Sequence, residues 1–351
     1  MRGSSFETKD STSADRRGTI HRRELPSRTP LPIDHGGRRT MAVHLSGRQR
    51  DFLTDTFPRP PGDGWTLRIS TRVSMSQLKW LIESSVFGIS SEPIKAAIRS
   101  QGMAFEVVHA RPFLNGVVPE VAGRKLTNDD CVVFWGSPPL MHHIRKHYAW
   151  RPGGWCNFST LNCAEYYPRL QHWLLNNNCH IGTIDDLQRD TNSLFAQFSN
   201  DSKVFVRPCT VEKVFTGQLV TKDDFAGTLD RARYANCLVL VARPVPISCE
   251  WRLIVCRGTA IASSQYRRWG NLDVRPGCPD QVARFTSEVW LASQWTPDDI
   301  FVVDVCESNG DLHVLELNSF SCSGWYECDP AVIVACATKL ACESWMHDDD
   351  A

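Results

Sequence analysis

At 351 residues the chain has room for two or three domains and a sizeable core, and its 42% apolar and 22% charged content is ordinary for a globular protein. Lysine plus arginine equals aspartate plus glutamate at 39 each, which argues against nucleic acid as the main partner of the folded part. No apolar run of about 18 residues provides a spanning helix, the N-terminus lacks the apolar core of a secretory signal, and 14 cysteines are scattered without a C-x-x-C pair, so they are expected to be reduced thiols of a cytoplasmic protein.

Residues 1–50 hold 11 Lys or Arg against 5 Asp or Glu, among many Ser, Thr, Gly and Pro. This composition predicts a disordered basic tail over residues 1–63, closed by Pro58-Arg59-Pro60-Pro61-Gly62. It could serve at a nucleic-acid or membrane surface, or it could precede the true start, since Met41 and Met75 follow.

Lys79–Phe87 reads as a strand, Pro93–Gln101 as a helix, Ala104–His109 as a second strand and Cys131–Gly136 as a short third, apolar on both sides. Strand, helix and strand at this spacing predict a small α/β layer with a parallel sheet over residues 77–150. Leu140–Trp150 carries His142, His143 and His147. The 143/147 pair has the i, i+4 spacing of a helical metal site. No glutamate of an H-E-x-x-H motif lies between them, and Arg145 and Lys146 mark a solvated basic face instead. Residues 151–200 read as a helical linker whose Tyr166-Tyr167 belongs to an aromatic core stripe.

Lys203–Val220 is the next informative stretch. Val204–Arg207 is a strand ending in Arg207-Pro208. Lys213 follows, and then Phe215-Thr216-Gly217, a short loop returning into a strand. Such a loop could fold over phosphates as a flap, with backbone N–H groups and Lys213 as donors; an ordinary basic hairpin explains the same residues. Lys222–Asn236 is helical by composition, and Cys237–Ala242 is a buried strand that runs into Arg243-Pro244-Val245-Pro246, too proline-rich to continue a central ladder. Cys249–Arg267 is a hairpin turning at Arg257-Gly258, with Arg252 early on one arm and Arg267 late on the other. They are expected to end near each other, as paired guanidinium groups suited to gripping phosphate or carboxylate; two surface arginines in salt bridges are the alternative. Asp280–Ala292 is a helix.

Two apolar runs then flank Ser308-Asn309-Gly310-Asp311, a hairpin signal. Glu316 and Asn318 share a face by alternation. A two-residue Asn309-Gly310 turn would pair 304 with 315 and turn Asp304 away from them. A three-residue loop with Gly310 left-handed would pair 304 with 314. It would bring Asp304, Glu316 and Asn318 together opposite an apolar face of Val303, Val305, Leu315 and Leu317. The second register segregates the residues and is the expected one. The apolar helix Ala331–Trp345 is expected to cover that face. Two carboxylates and an amide oxygen form a hard-oxygen set that suits Mg²⁺; a solvated polar face of an edge hairpin is the plainer explanation.

Asp304, eleven intervening residues and then Glu316-Leu317-Asn318 on a terminal hairpin resemble the metal-binding end of the ATP-grasp superfamily. The continuation Asn318-Ser319-Phe320-Ser321-Cys322-Ser323-Gly324-Trp325-Tyr326 resembles the clade of it named for two arginines and a lysine. Arg207-Pro208, the Lys213 loop, Glu250-Trp251-Arg252 and Arg267 precede them in the order that superfamily uses. The resemblance covers roughly residues 77–345. It implies an α/β ATP-grasp fold with a preceding small α/β domain, the nucleotide- and metal-binding region lying over residues 201–346. It also implies an ATP-dependent ligase that joins a carboxylate to an amine, or less often a thiol, through an acyl-phosphate, releasing ADP and phosphate. By resemblance, Arg207 replaces the usual lysine and holds phosphates with Lys213 and the Gly217 flap. Backbone groups near Val241 and Arg243 face the adenine of ATP, Asp304, Glu316 and Asn318 hold Mg²⁺, and Arg252 and Arg267 steady the acyl-phosphate or the acceptor carboxylate. The partners implied are small-molecule or peptide carboxylates and amines, with no membrane. The competing readings are a nucleotide-binding scaffold without catalysis and a nucleic-acid adaptor working through the basic tail.

Overall fold

The computed structural model describes residues 78–347 except 85, 87, 89, 122, 129, 213 and 234–236. The basic tail over 1–63 and the expected phosphate ligand Lys213 lie outside the described residues.

Three larger sheets organise the described chain, beside a two-stranded ribbon of Glu120–Val121 and Arg124–Lys125. The first is built from β1 (Leu78–Glu83), β2 (Ala104–Val108), β3 (Cys131–Trp135) and β4 (Arg151–Gly153), ordered β2-β1-β3-β4 with every pairing parallel. β1 and β3 are buried along their whole length, and β3 is accordingly a continuous apolar run, whereas β1 buries Lys79 and Glu83 among its apolar residues. Helix α1 (Glu92–Ser100) connects β1 to β2, and α2 (Pro138–His147) follows β3.

The second sheet is antiparallel and ordered β5-β8-β6-β7, from β5 (Cys179–Gly182), β6 (Lys203–Pro208), β7 (Gln218–Thr221) and β8 (Val239–Ala242). The span 151–200 is therefore not wholly helical. It holds α3 (Cys163–Leu170), α4 (Ile184–Arg189) and α5 (Thr191–Phe198), but β5 lies between them as an edge strand of this sheet. With α6 (Lys222–Arg233), α4 and α5 cover one side, where Val204, Val206, Val239 and Val241 meet Leu187, Phe195, Phe198 and Phe225. Strand alternation sends Phe205 and Arg207 to the other side.

The third sheet, also antiparallel, is ordered β11-β10-β9-β12-β13, from β9 (Cys249–Cys256), β10 (Thr259–Arg268), β11 (Asn271–Pro276), β12 (Ile300–Ser308) and β13 (Asp311–Ser319). The turn between β12 and β13 differs from expectation. Ser308 pairs with Asp311, so Asn309 and Gly310 form a two-residue turn, with φ of +53° and +89°. That is the double positive-φ turn for which Asn-Gly is strongly preferred. Register continues to Val305 opposite Val314 and then shifts by one, so that Asp304 faces Glu316 rather than residue 314. Leu315 is the extra residue of a β-bulge. The bulge reverses the phase of β13 and puts Asp304, Glu316 and Asn318 on one face, the result expected by a different route. Val314 consequently replaces Leu315 on the apolar face, beside Val303, Val305 and Leu317.

The helix over that face is α7 (Asp280–Ser293), not the C-terminal one. Val282, Val289 and Trp290 share its core, and Trp290 meets Phe301 edge-on with ring centroids 4.8 Å apart. The apolar helix α8 (Pro330–His347) packs instead on α1 and on β1, β3 and β4, and meets the third sheet at β10. Nearly every turn of α8 carries apolar residues, so its sequence could not say which of two apolar surfaces it would cover. Among the described residues no helix is long and apolar enough to cross a membrane.

Candidate functional site

The polar face of the third sheet is built strand by strand. Arg252 on β9 sits directly opposite Asp304 on β12, and Asp304 directly opposite Glu316 on β13. Opposed residues share a face, so the three side chains line one row. Arg252 donates from Nε to Asp304 Oδ1 at 2.8 Å and from Nη2 to Oδ2 at 2.7 Å. This is the two-bond geometry in which guanidinium matches carboxylate. Its remaining Nη1 donates to the Gly324 carbonyl at 2.9 Å. Asn318 Nδ2 donates to Asp304 Oδ2 at 3.4 Å and to Glu316 Oε1 at 2.9 Å, bridging the carboxylates.

Arg207 arrives from the second sheet. Its Nη2 lies 3.0 Å from Glu316 Oε2, and its Nη1 donates to the Leu315 carbonyl at 3.3 Å. The carbonyl it meets belongs to the bulge residue, so the same irregularity that orients Glu316 also supplies an acceptor for Arg207. The neighbouring backbone is anchored on its other side, where Val314 N–H donates to Trp173 O at 2.7 Å and Leu175 N–H to Val314 O at 3.0 Å. The result is a continuous chain, Arg207–Glu316–Asn318–Asp304–Arg252, running between two sheets.

Both arginines stay charged. For Arg252 burial opposes the charge, but Asp304 overcomes it and raises the pKa. For Arg207 burial again opposes it, while Tyr166, Cys163 and Glu316 raise the pKa well above the usual value. Cys163 begins α3, with Sγ 3.4 Å from the Tyr166 hydroxyl. Burial disfavours its thiolate, but hydrogen bonding with Cys209, the charge of Arg207 and Tyr166 bring the pKa to about 6. Cys131 contrasts with it, its pKa pushed up to about 12 chiefly by burial, as befits a small apolar core residue.

Gly217 returns the chain beneath Arg207. A Cβ there would stand 2.9 Å from the Phe205 ring and 3.5 Å from Arg207 Cβ, so only glycine allows this approach. Val241 is wholly buried in the helix-facing core, and its backbone lies in the central strand between Val206 and His180. Arg243 is exposed and donates to Gln197 O at 3.2 Å, so its side chain points to α5 and not to the row. Arg267 lies opposite Glu250, with Nε 3.9 Å from Glu250 Oε1, on the same face as Arg252 but two residues along β9. Among the histidines, His142 Nε2 lies 2.7 Å from Glu212 Oε1, and His143 meets Phe113 edge-on.

Several site residues carried no assigned role in the sequence. Tyr266 and Tyr326 stack with centroids 4.9 Å apart and planes 2° from parallel, and the Arg252 guanidinium lies 4.9 Å from the Tyr326 centroid and 5.6 Å from that of Tyr266. The Tyr266 hydroxyl donates to Glu250 Oε2 at 2.5 Å. Burial pushes the Glu250 carboxyl up, partly offset by Tyr266 and Arg267. Glu250 and Tyr326 lie in stretches already singled out, Glu250-Trp251-Arg252 and Ser323-Gly324-Trp325-Tyr326, and Tyr266 precedes Arg267, but only the folded sheet gives them partners. The loop after β13 ties this face to the first sheet: Gly136 N–H donates to Ser321 O and Trp135 Nε1 to Ser323 O, each at 2.9 Å.

Two carboxylates and an amide on one face supply the hard oxygens that Mg²⁺ prefers, and the donor set fits that ion. Among the described residues no three His, Cys, Asp or Glu gather as a cage. Mg²⁺ ordinarily completes its shell with water and phosphate oxygens rather than with protein alone.

Residues 185–336 match the family model of the ATP-grasp domain, R2K clade family 2. The fold is similar to that of D-cycloserine synthetase DcsG, with a TM-score of 0.50 and 14% identity over 76% of this chain and 99% of that one. It is also similar to that of the ATP complex of D-alanine–D-alanine ligase from Bacillus anthracis, with a TM-score of 0.51 and 11% identity over 77% and 97% of the two chains. At these identities the likeness is one of fold. No curated protein matches the sequence.

Proposed function

Taking as premise an α/β protein of ATP-grasp fold whose residues 185–336 resemble the R2K clade, we propose that it is an ADP-forming ligase joining a carboxylate to an amine. The observation that carries this reading is the chain of two arginines, two carboxylates and one amide between the second and third sheets. The array is neutral as it stands, its two guanidinium groups balancing its two carboxylates, and Mg²⁺ on the carboxylates would give it the positive charge that a triphosphate needs. In the first step a substrate carboxylate oxygen attacks the γ-phosphorus, and the bond to the bridging oxygen breaks to release ADP. In the second, the amine attacks the acyl carbon, phosphate leaves, and the nitrogen gives up a proton. The protein's part is to hold the phosphoryl group in line and neutralise its charge.

In this reading Arg207 takes the phosphates, with Lys213 and the backbone around Gly217 as further donors. The ion pair with Glu316 is exchanged for phosphate oxygens when nucleotide enters. Asp304, Glu316 and Asn318 would hold Mg²⁺, which when bound neutralises phosphate charge. Arg252 holds Asp304 in place through two hydrogen bonds, and Arg267 is the exposed guanidinium free to meet substrate. The backbone of Val241 is committed to its sheet, so adenine-reading N–H groups are sought after the strand, from Arg243 to Ile247. Two carboxylates and an amide placed as a Mg²⁺ donor set favour catalysis over a purely scaffolding role. The deciding experiment is a phosphate-release screen of amino acids and small or peptide carboxylates with Mg-ATP. ADP release that requires both a carboxylate and an amine supports the reading. Nucleotide binding without turnover across the screen favours the scaffold.

A further inference from the structure

The row of residues that holds Glu250 continues to the outer edge of the third sheet. Leu272 on β11 lies opposite Arg267, which lies opposite Glu250, which lies opposite Cys306. Leu272 therefore shares the face of Arg252 and Asp304, yet it is 72% exposed. Trp269, in the turn between β10 and β11, is 68% exposed. These are the two most exposed large apolar side chains among the described residues, and they stand three positions apart.

Their surroundings are basic. Arg267 is about half exposed, and its one ion-pair contact is the 3.9 Å approach to Glu250. Arg268 is exposed, and no carboxylate pairs with it among the described residues. Asp273, the acidic residue of this hairpin, is already taken by Arg275 at 2.8 Å and by Gln265 at 3.0 Å. β11 is the last strand of its sheet, and among the described residues no strand pairs with its outer edge. An open edge offers main-chain hydrogen bonds to an extended chain. A tryptophan beside arginines offers the flat apolar contact and the cation typical of binding hot spots.

We propose that the hairpin Arg268–Leu272 and the edge of β11 seat an extended acidic peptide, continuous with the catalytic face. Its main chain runs along β11, its apolar side chains rest on Trp269 and Leu272, and its carboxylates meet Arg267 and Arg268. The inference rests on the ligase reading for its purpose, since a peptide seated here delivers its neighbouring carboxyl or amino group toward Arg252 and Asp304. It names the substrate class as peptidic and acidic. Solvent-exposed edges are usually protected by charge; arginines alone would serve that end, but an exposed tryptophan and leucine on the same edge would not.

The test uses the full chain and a fluorescein-labelled dodecapeptide of alternating glutamate and valine. Its lysine–valine counterpart, a single-stranded oligonucleotide and phosphatidylserine vesicles are run in parallel. The expected result is saturable binding of the glutamate peptide that weakens as salt is raised. Trp269→Ala and Arg268→Glu should each weaken it at least about tenfold, with the thermal unfolding midpoint and Mg-ATP affinity unchanged. Equal binding of the lysine peptide, tighter binding of the oligonucleotide or vesicles, or full retention of glutamate-peptide binding in both variants overturns the proposal. So does a concentration-dependent dimer abolished by Trp269→Ala, which would assign the edge to a second copy of the chain. Mg-ATP titration of the same preparation separates the two ideas. ATP binding without peptide binding removes the docking surface and leaves the ligase reading; peptide binding without ATP binding does the reverse.

Discussion

The two arginines of the site make an instructive pair. Arg252 and Asp304 lie on adjacent strands of one sheet, joined by two hydrogen bonds, and a third guanidinium N–H is spent on a backbone carbonyl. Arg207 and Glu316 come from different sheets, and the guanidinium meets one oxygen of the carboxylate and one backbone carbonyl. The first pair is fixed by strand register and can open only if the sheet does. The second can part when the sheets shift or when a better anion arrives. A guanidinium embedded in its own ladder works as a brace, and one that reaches across a cleft works as a receptor.

Removing the brace should have the largest consequence. Arg252→Ala strips Asp304, which is 1% exposed, of its two guanidinium hydrogen bonds, and is expected to cost about 3–5 kcal/mol of stability. Urea unfolding measures it, and a loss under about 1 kcal/mol would mean that Arg252 is no brace. Arg207→Ala should leave the fold closer to intact and weaken Mg-ATP by about 2–4 kcal/mol, the scale for losing one partner of a desolvated charge pair. Calorimetric titration of a folded variant checks this, and unchanged affinity takes Arg207 out of the nucleotide site. Glu316→Gln keeps the hairpin's shape and its contact with Asn318, so it should fold and retain some nucleotide affinity. Turnover should fall at least about 100-fold if the carboxylate serves the phosphoryl transfer. A wild-type rate would end that assignment.

The comparison sharpens further at Asp298, a largely buried carboxylate with no guanidinium hydrogen-bonded to it among the described residues. Burial pushes its pKa from 3.8 to about 7, with Arg145 only partly offsetting. An acid whose folded pKa is raised favours folding below its unfolded pKa and loses that contribution as pH rises through the folded one. Wild-type stability should therefore decline relative to Asp298→Asn between about pH 4 and pH 7. The full shift sets a ceiling near 4 kcal/mol, which partial exposure to water reduces to about 1–2 kcal/mol. Parallel unfolding curves for the two proteins across that range would show that this carboxylate does not behave as burial predicts.

Period-two alternation in Val204–Arg207 and in the β12 and β13 stretches was enough to place strands there and to put Glu316 with Asn318, because side-chain direction along a strand is a local property. Strand, helix and strand in close succession, with Cys131–Gly136 apolar on both sides, likewise announced a parallel sheet. Asn309-Gly310 announced its own two-residue turn, although segregation of polar from apolar residues in an unbulged hairpin required a longer loop. What alternation could not supply was the bulge at Leu315, since a strand's own sequence does not encode how its neighbour's register is interrupted. Only the assembled sheets brought Arg207 to Glu316, 109 positions away, and set Tyr266 against Tyr326 under Arg252. Only they chose α7 over α8 as the cover for the hairpin. Both helices had apolar faces to bury, and the choice between them depended on the shape of the surface each would meet, which exists only once the chain is folded.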